Sequence, residues 1–148
     1  EKVYLNALLL DILTRYSLKA NEKKISINHQ FFEEYYVQSD SYLVSIILSN
    51  IISNAIKYSN ENGAISITLS QNETTTICTI SDNGIGISKE DLGKIANPFY
   101  RSNPTNHPEI KGSGLGLSIV KRLAELLNIQ FKIQSEINKG TSVILSFK

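Results

Sequence analysis

Cysteine occurs once, at Cys78, tryptophan and methionine not at all, and proline three times, always within residues 97–112. A single cysteine excludes a disulfide scaffold. An excess of charge of one sign is also missing. Fifteen basic residues against 14 acidic ones leave a net +1, which gives no electrostatic reason to expect nucleic acid or an anionic membrane as partner. Long apolar runs are absent too. The nearest, from Tyr42 to Ile56, is interrupted by Ser45, Ser49, Asn50, Ser53 and Asn54, and a membrane span needs roughly 18 or more apolar residues in a row. There is no internal repeat and no low-complexity tract.

What is present fits an ordinary globular protein. Hydrophobic residues make up 41% and charged residues 20%, too apolar a balance for intrinsic disorder. A length of 148 residues suits one domain, or one domain with a short extension. Such a chain can bury roughly two thirds of its unfolded surface. It opens without methionine, in mid-pattern, and Glu1-Lys2 leads into too short an apolar stretch for a signal peptide. The chain therefore reads as a piece of something longer.

Leu5, Leu8, Leu9, Ile12, Leu13 and Tyr16 recur at helical spacing and predict a helix over residues 1–20. A polar turn at 21–24 and an alternating strand at 25–32 follow, then a connection over 33–40. Asp40 or Ser41 can cap the next helix, which runs over 41–58. After the loop 59–63, alternation at Ile65, Ile67 and Leu69 and the β-branched run 75–81 predict a hairpin turning at 71–74. Residues 82–87 form a glycine-rich turn. Ser88 and Asp91 make a capping-box-like start for a short helix reaching about Ala96. Residues 97–112 lack periodicity, and a loop that long in a compact domain is usually a functional lid. A helix from about Gly116 to Leu127 precedes a last hairpin, 129–133 and 143–147, turning at Asn138-Lys139-Gly140. This order implies a two-layer α/β sandwich with a mostly antiparallel sheet.

Three constellations could carry chemistry. On helix 41–58, Asn50, Asn54, Lys57 and Tyr58 share one stripe. Amides among Ile51, Ile52, Ala55 and Ile56 need a partner. That partner could be a ligand, since Asn oxygens suit Mg²⁺ and Lys57 suits phosphate, or simply neighbouring backbone. In Asp82-Asn83-Gly84-Ile85-Gly86-Ile87, two glycines free the backbone for close approach. There the Asp82 carboxylate could accept from the exocyclic amine of a purine between Ile85 and Ile87. The plain alternative is an Asn-Gly turn. In Lys111-Gly112-Ser113-Gly114-Leu115-Gly116-Leu117-Ser118, three glycines run into an apolar-periodic helix, whose N-terminus would offer N–H groups to an anion. A flexible hinge is the alternative. The Walker pattern is absent, Leu117 breaks G-x-G-x-x-G, and no strand directly precedes as a Rossmann fingerprint needs.

Taken in order, Asn50-Ile-Ile-Ser-Asn54-Ala-Ile-Lys57-Tyr58, Asp82-Asn-Gly84-Ile-Gly86-Ile, Asn97-Pro98-Phe99-Tyr100-Arg101, Gly112-Ser-Gly114-Leu-Gly116-Leu-Ser-Ile and Gly140-Thr141 resemble the ATP-binding domain of sensor histidine kinases. They are similar to its N box, first glycine box, Phe-containing box, second glycine box and trailing Gly-Thr. The resemblance covers about residues 25–148. Residues 1–24 look like a helical linker from a separate dimerising, phosphoacceptor domain.

The resemblance implies a Bergerat-type fold, a mixed and largely antiparallel sheet against three helices. It implies ATP as ligand, ADP as product and Mg²⁺ held by Asn54. Asn50 and Lys57 would lie beside the phosphates and Tyr58 at the border of the nucleotide. Asp82 would take the adenine amine, with Gly84, Ile85, Gly86 and Ile87 closing on the base and Thr141 helping around it. Lys111, Gly112, Gly114, Leu115, Gly116 and Leu117 would face phosphate. Residues 97–113 would be the lid, docked by Phe99, with Arg101 neutralising the γ-phosphate.

Gyrase- and chaperone-type relatives of this fold carry a glutamate four residues before the magnesium asparagine, as base for water. Here Asn50 stands at that position and takes no proton at neutral pH, so hydrolysis should be slow, and an ATPase clamp such as a mismatch-repair or gyrase domain is disfavoured. Transfer to an imported nucleophile needs mainly positioning and charge neutralisation. Neither histidine, His29 or His107, matches the family's phosphoacceptor motif. The resemblance thus implies a histidine kinase catalytic domain without its own phosphoacceptor. Its expected partners are that domain of the same protein, in a homodimeric parent, and a downstream response regulator. The piece itself is expected to be monomeric and cytoplasmic. The same-fold alternative is a serine kinase of the anti-sigma-factor type, or a nucleotide-binding module without histidine kinase activity.

Overall fold

The computed structural model describes residues 1–94 and 116–148. In chain order its elements are β1 (Lys2–Tyr4), α1 (Leu5–Arg15), α2 (Ser17–Glu22), β2 (Ser26–Gln30), β3 (Tyr36–Gln38), α3 (Ser41–Tyr58), β4 (Ala64–Gln71), β5 (Thr76–Asp82), α4 (Lys89–Leu92), α5 (Gly116–Leu126), β6 (Gln130–Glu136) and β7 (Gly140–Phe147). Strands β2-β4-β5-β7-β6 form one sheet in that order. All pairs are antiparallel except β2 with β4. A parallel pair needs a crossover, and α3 lies on that connection.

The core fills the space between one face of this sheet and the helices. Val44, Ile47, Leu48, Ile51, Ile52, Ala55 and Ile56 of α3 are buried, together with Ile65, Ile67 and Leu69 of β4, Cys78 and Ile80 of β5, and Val143, Leu145 and Phe147 of β7. Strand alternation puts these residues on the same side of the sheet. α5 packs beside α3 and adds Val120 and Ala124. The expected two-layer sandwich with a mixed, largely antiparallel sheet is thus the fold found. Its three main helices are α1, α3 and α5.

The N-terminal segment corrects two expectations. The helix predicted over 1–20 starts only at Leu5, breaks at Tyr16 and resumes as α2. Within the connection expected over 33–40, residues 36–38 form a strand that pairs antiparallel with residues 2–4. Three-residue strands leave no alternation to read, and their partner lies far along the chain. Asn6 secures the arrangement. Its Nδ2 donates to the Glu33 carbonyl and its Oδ1 accepts from the Tyr35 N–H, each at 2.8 Å. Leu5, Leu9 and Ile12 are fully buried in the common core.

Elsewhere the punctuation follows local chemistry. Asp40 caps α3 through Oδ1, which accepts from the Leu43 N–H at 2.9 Å. Asn72 Oδ1 accepts from the Thr74 and Thr75 N–H groups in the β4–β5 turn. Ser88 caps α4, accepting from the Asp91 N–H, but α4 closes at Leu92 before Gly93, short of the expected Ala96. Among the described residues no helix is long and apolar enough to cross a membrane.

Candidate functional site

The site is built where the C-terminal half of α3, the N-terminus of α5 and one end of the sheet come together. The buried residues of α3 face the core, which leaves Asn50, Asn54, Lys57 and Tyr58 half-buried along a different side. The stripe therefore borders a surface rather than lying inside the core. Asn50 satisfies its own donor locally: Nδ2 donates to the Ile46 carbonyl at 2.8 Å. Gly116, the first residue of α5, lies against both amides. A Cβ there would stand 3.4 Å from Asn50 Oδ1 and 3.4 Å from Asn54 Nδ2. The start of α5, where the first N–H groups have no intrahelical acceptor, is thus set beside the two asparagines. A helix N-terminus attracts anions. Leu117 is half-buried in the same first turn.

The end of α3 holds the first glycine box. The Tyr58 carbonyl accepts from the Ile85 N–H at 3.1 Å. A Cβ on Gly84 would overlap that same carbonyl oxygen. Lys23 secures the helix end from outside, its Nζ donating to the Ile56, Lys57 and Ser59 carbonyls at 2.9, 2.9 and 2.7 Å. Cations suit the last carbonyls of a helix.

Asp82 ends β5 and lies directly across from Thr141 of β7. Its Oδ1 accepts from the Gly84 N–H at 2.9 Å. Burial raises its pKa above the usual carboxylate range, while the Gly84 and Thr141 backbone N–H groups pull it back. A carboxylate held partly desolvated and partly bonded is primed to accept one more donor. Ile85 and Ile87 are half-buried beside it. Gly86 sits at φ +74°, and a Cβ there would overlap the Glu136 carbonyl. The Ile85 carbonyl accepts from the Asn138 N–H at 2.8 Å, which ties the glycine box to the β6–β7 turn.

The α3 stripe thus abuts the start of the second glycine box at Asn50 and Asn54, and the first glycine box at Tyr58. Asn50 and Asn54 meet Gly116, Tyr58 meets Gly84 and Ile85, and Asp82 lies across from Thr141, with Gly86, Ile87 and Leu117 in the same segments and Lys57 on the same stripe. Phe99, Arg101, Lys111, Gly112, Gly114, Leu115 and the lid expected over 97–113 lie outside the described residues, as does His107. His29 is exposed on β2, stacked on Phe31.

Two contributors escaped the sequence reading. Lys23 lies in a polar turn with nothing to mark it. Ser135 had a signal: Phe131, Ile133 and Ser135 alternate along β6, and a serine in the inward register is a polar interruption of the core face. Among the described residues no group of three His, Cys, Asp or Glu could hold a metal ion.

Comparison with known proteins agrees with this geometry. The family described as histidine kinase-, DNA gyrase B-, and HSP90-like ATPase matches residues 39–148. The heme sensor protein HssS of Staphylococcus saprophyticus is 37% identical over 148 residues, all of this chain and 31% of that protein. Sensor histidine kinase WalK of Bacillus subtilis is 33% identical over 134 residues, 89% of this chain and 22% of that protein. The chain therefore spans under a third of the length of these curated relatives. The solved catalytic domain of histidine kinase ThkA superposes with a TM-score of 0.83 at 25% identity, covering 99% of this chain and 94% of that one. ThkA has also been solved in complex with the response regulator TrrA. The serine-kinase alternative gains no support from these relatives. The chain belongs to the histidine kinase-, DNA gyrase B-, and HSP90-like ATPase family, as an ATP-binding catalytic domain of the sensor histidine kinase type.

Proposed function

We propose that this domain binds ATP with Mg²⁺ and directs the γ-phosphoryl group to a histidine on a separate domain of the parent protein. The observation that carries this reading is the meeting of Asn50, Asn54 and Gly116. It sets amide oxygens beside a helix N-terminus, where phosphates find N–H donors and a favourable dipole. No carboxylate stands at position 50 to take a proton from water.

The donors fit Mg²⁺. The ion keeps most of its waters and takes few protein ligands together with substrate phosphates. Asn54 is half-buried at the α3–α5 seam and would hold it. Bound there, the ion would offset phosphate charge. Asn50, Lys57 and the first turn of α5, including Leu117, would orient the phosphates. Asp82 would accept from the adenine amine, with Thr141 beside it, Ile85 and Ile87 against the ring, and Tyr58 at the border of the nucleotide. Phe99, Arg101, Lys111, Gly112, Gly114 and Leu115 join this reading on their motif alone, as lid and phosphate contacts.

The parent would be a homodimer, cytoplasmic or membrane-anchored, whose phosphoacceptor domain lies outside residues 1–148, with this domain in the cytoplasm where ATP is supplied. It would pass the phosphoryl group to a response regulator, as the ThkA–TrrA complex suggests. The test is incubation with radiolabelled ATP, with and without the parent's phosphoacceptor domain. Acid-labile label on that domain, with little phosphate released by residues 1–148 alone, is expected. Multiple-turnover phosphate release by residues 1–148 alone would overturn the reading.

A further inference from the structure

The core face of the sheet is built in rows. Cys78, Leu145 and Phe131 lie directly across from one another on β5, β7 and β6, and Ile80, Val143 and Ile133 form the next row. Both rows are apolar. The row after them, at the end of the sheet that meets the glycine box, is Asp82, Thr141 and Ser135. Partners directly across an antiparallel pair point to the same side, so three polar side chains follow two apolar rows on one face.

The hydrogen-bond partners of Ser135 favour one arrangement of the protons in this row. Ser135 Oγ donates to the Gly140 carbonyl at 2.9 Å. That acceptor has no proton of its own, so the one hydroxyl proton of Ser135 is committed. Ser135 Oγ also lies 2.7 Å from Thr141 Oγ1. The assignment that satisfies all of these contacts at once has Ser135 accepting there and Thr141 donating. Ser135 also accepts from the Ile87 N–H at 2.8 Å, which fills its second lone pair. The hydroxyl of Thr141 is left able only to accept. Beside it stands Asp82, whose carboxylate also only accepts when ionised.

We propose that Ser135 is a specificity-determining residue for the nucleobase. By taking the Thr141 proton it makes Asp82 and Thr141 a pair of acceptors, which favours a purine carrying an amine at position 6 over one carrying a carbonyl there. A 6-oxo group facing two acceptors meets repulsion and loses its hydrogen bonds. The inference rests on the adenine reading of Asp82 made above, and it adds the group that sets the polarity of the neighbouring hydroxyl. Ser135 touches no base. It acts through Thr141.

The test compares the affinities of ADP and inosine diphosphate, each with Mg²⁺, by calorimetry on residues 1–148. These ligands differ at position 6 and share ribose and phosphates. Ser135→Ala removes the acceptor of the Thr141 proton, so that hydroxyl can turn and donate to a carbonyl. The preference for ADP should fall several-fold, on the order of one added hydrogen bond, largely through tighter inosine binding. Ser135→Thr should restore the preference. A merely structural loss would weaken both ligands alike and leave their ratio unmoved.

In S135A/T141V the inosine gain should vanish, because no donor remains. A gain that persists there overturns the proposal, as does an unchanged ratio in S135A. Asp82→Asn separates the two levels. If it weakens ADP binding while S135A leaves the ratio alone, only the Ser135 inference fails. If it leaves ADP affinity untouched, the adenine reading itself fails. Should S135A not fold, Ser135→Cys carries the same comparison, because a thiol is only a weak acceptor.

Discussion

Gly84 rests on the carbonyl oxygen of Tyr58, so closely that a Cβ would overlap it. This contact joins the first glycine box to the last residue of the asparagine helix. It is also next to the acceptor: the Gly84 N–H donates to Asp82 Oδ1. Gly84→Ala should therefore move the box away from the helix end. A loss of on the order of 2 kcal/mol in folding stability is expected, the scale of a forced backbone shift, together with weaker nucleotide binding. Urea unfolding with and without ADP measures both. Wild-type stability and affinity in the variant would show that the close approach does not matter.

Asp82→Asn should weaken binding of an ATP analogue by at least about tenfold, since a hydrogen bond to a charged acceptor is worth roughly 1.5–3 kcal/mol. Equal affinity by calorimetry removes the adenine assignment.

The same carboxylate gives the nucleotide-free domain a pH signature. Burial holds the folded pKa of Asp82 above its ordinary value, so the folded state keeps this proton to higher pH than the unfolded chain. The ionised group then weighs against the fold at neutral pH. That penalty fades as pH falls through the raised native pKa, and it is gone below the unfolded value. Measured by urea unfolding, the stability of wild type relative to Asp82→Asn should rise as the solution is acidified from neutrality. A difference that stays flat, or falls, contradicts the assigned direction.

Asn54→Ala should abolish the help that Mg²⁺ gives to ADP binding while leaving part of the magnesium-free affinity, because Asp82 and the first glycine box are untouched. Calorimetry with magnesium or with a chelator distinguishes the cases. Continued enhancement by magnesium in the variant means that the ligand lies elsewhere.

Cys78 is buried in the middle of β5, and burial pushes its thiol pKa up to about 12. Thiolate is the reactive form, so alkylation at pH 8 should be slow in the folded domain and fast in urea. The rate should also drop further with ADP if the nucleotide stabilises the fold. Rapid labelling of the native protein would contradict the burial.

Much of the fold is legible in local chemistry. The span of α3 is marked by Asp40 before it and by Ser59-Asn60-Glu61-Asn62-Gly63 after it, and the structure keeps those limits. Both hairpins follow from alternation and turn residues. The β1–β3 pair does not, because three residues carry no period and their pairing is decided across the chain by Asn6 and the Leu5 and Tyr35 backbones. Residue types likewise mark the candidate site: two asparagines one helical turn apart, a strand-ending aspartate before glycines, and a glycine-led helix.

The sequence by itself determined which candidate residues share a helix stripe or a strand face, because helix and strand periods depend only on local spacing. Tertiary structure alone decided how they act together. It brought Gly116 against Asn50 and Asn54, put Lys23 on the Ile56, Lys57 and Ser59 carbonyls around the end of α3, and aligned Asp82, Thr141 and Ser135 in one row. Those relationships join residues far apart in the chain, and the direction of a hydroxyl proton depends on which acceptors packing brings within reach.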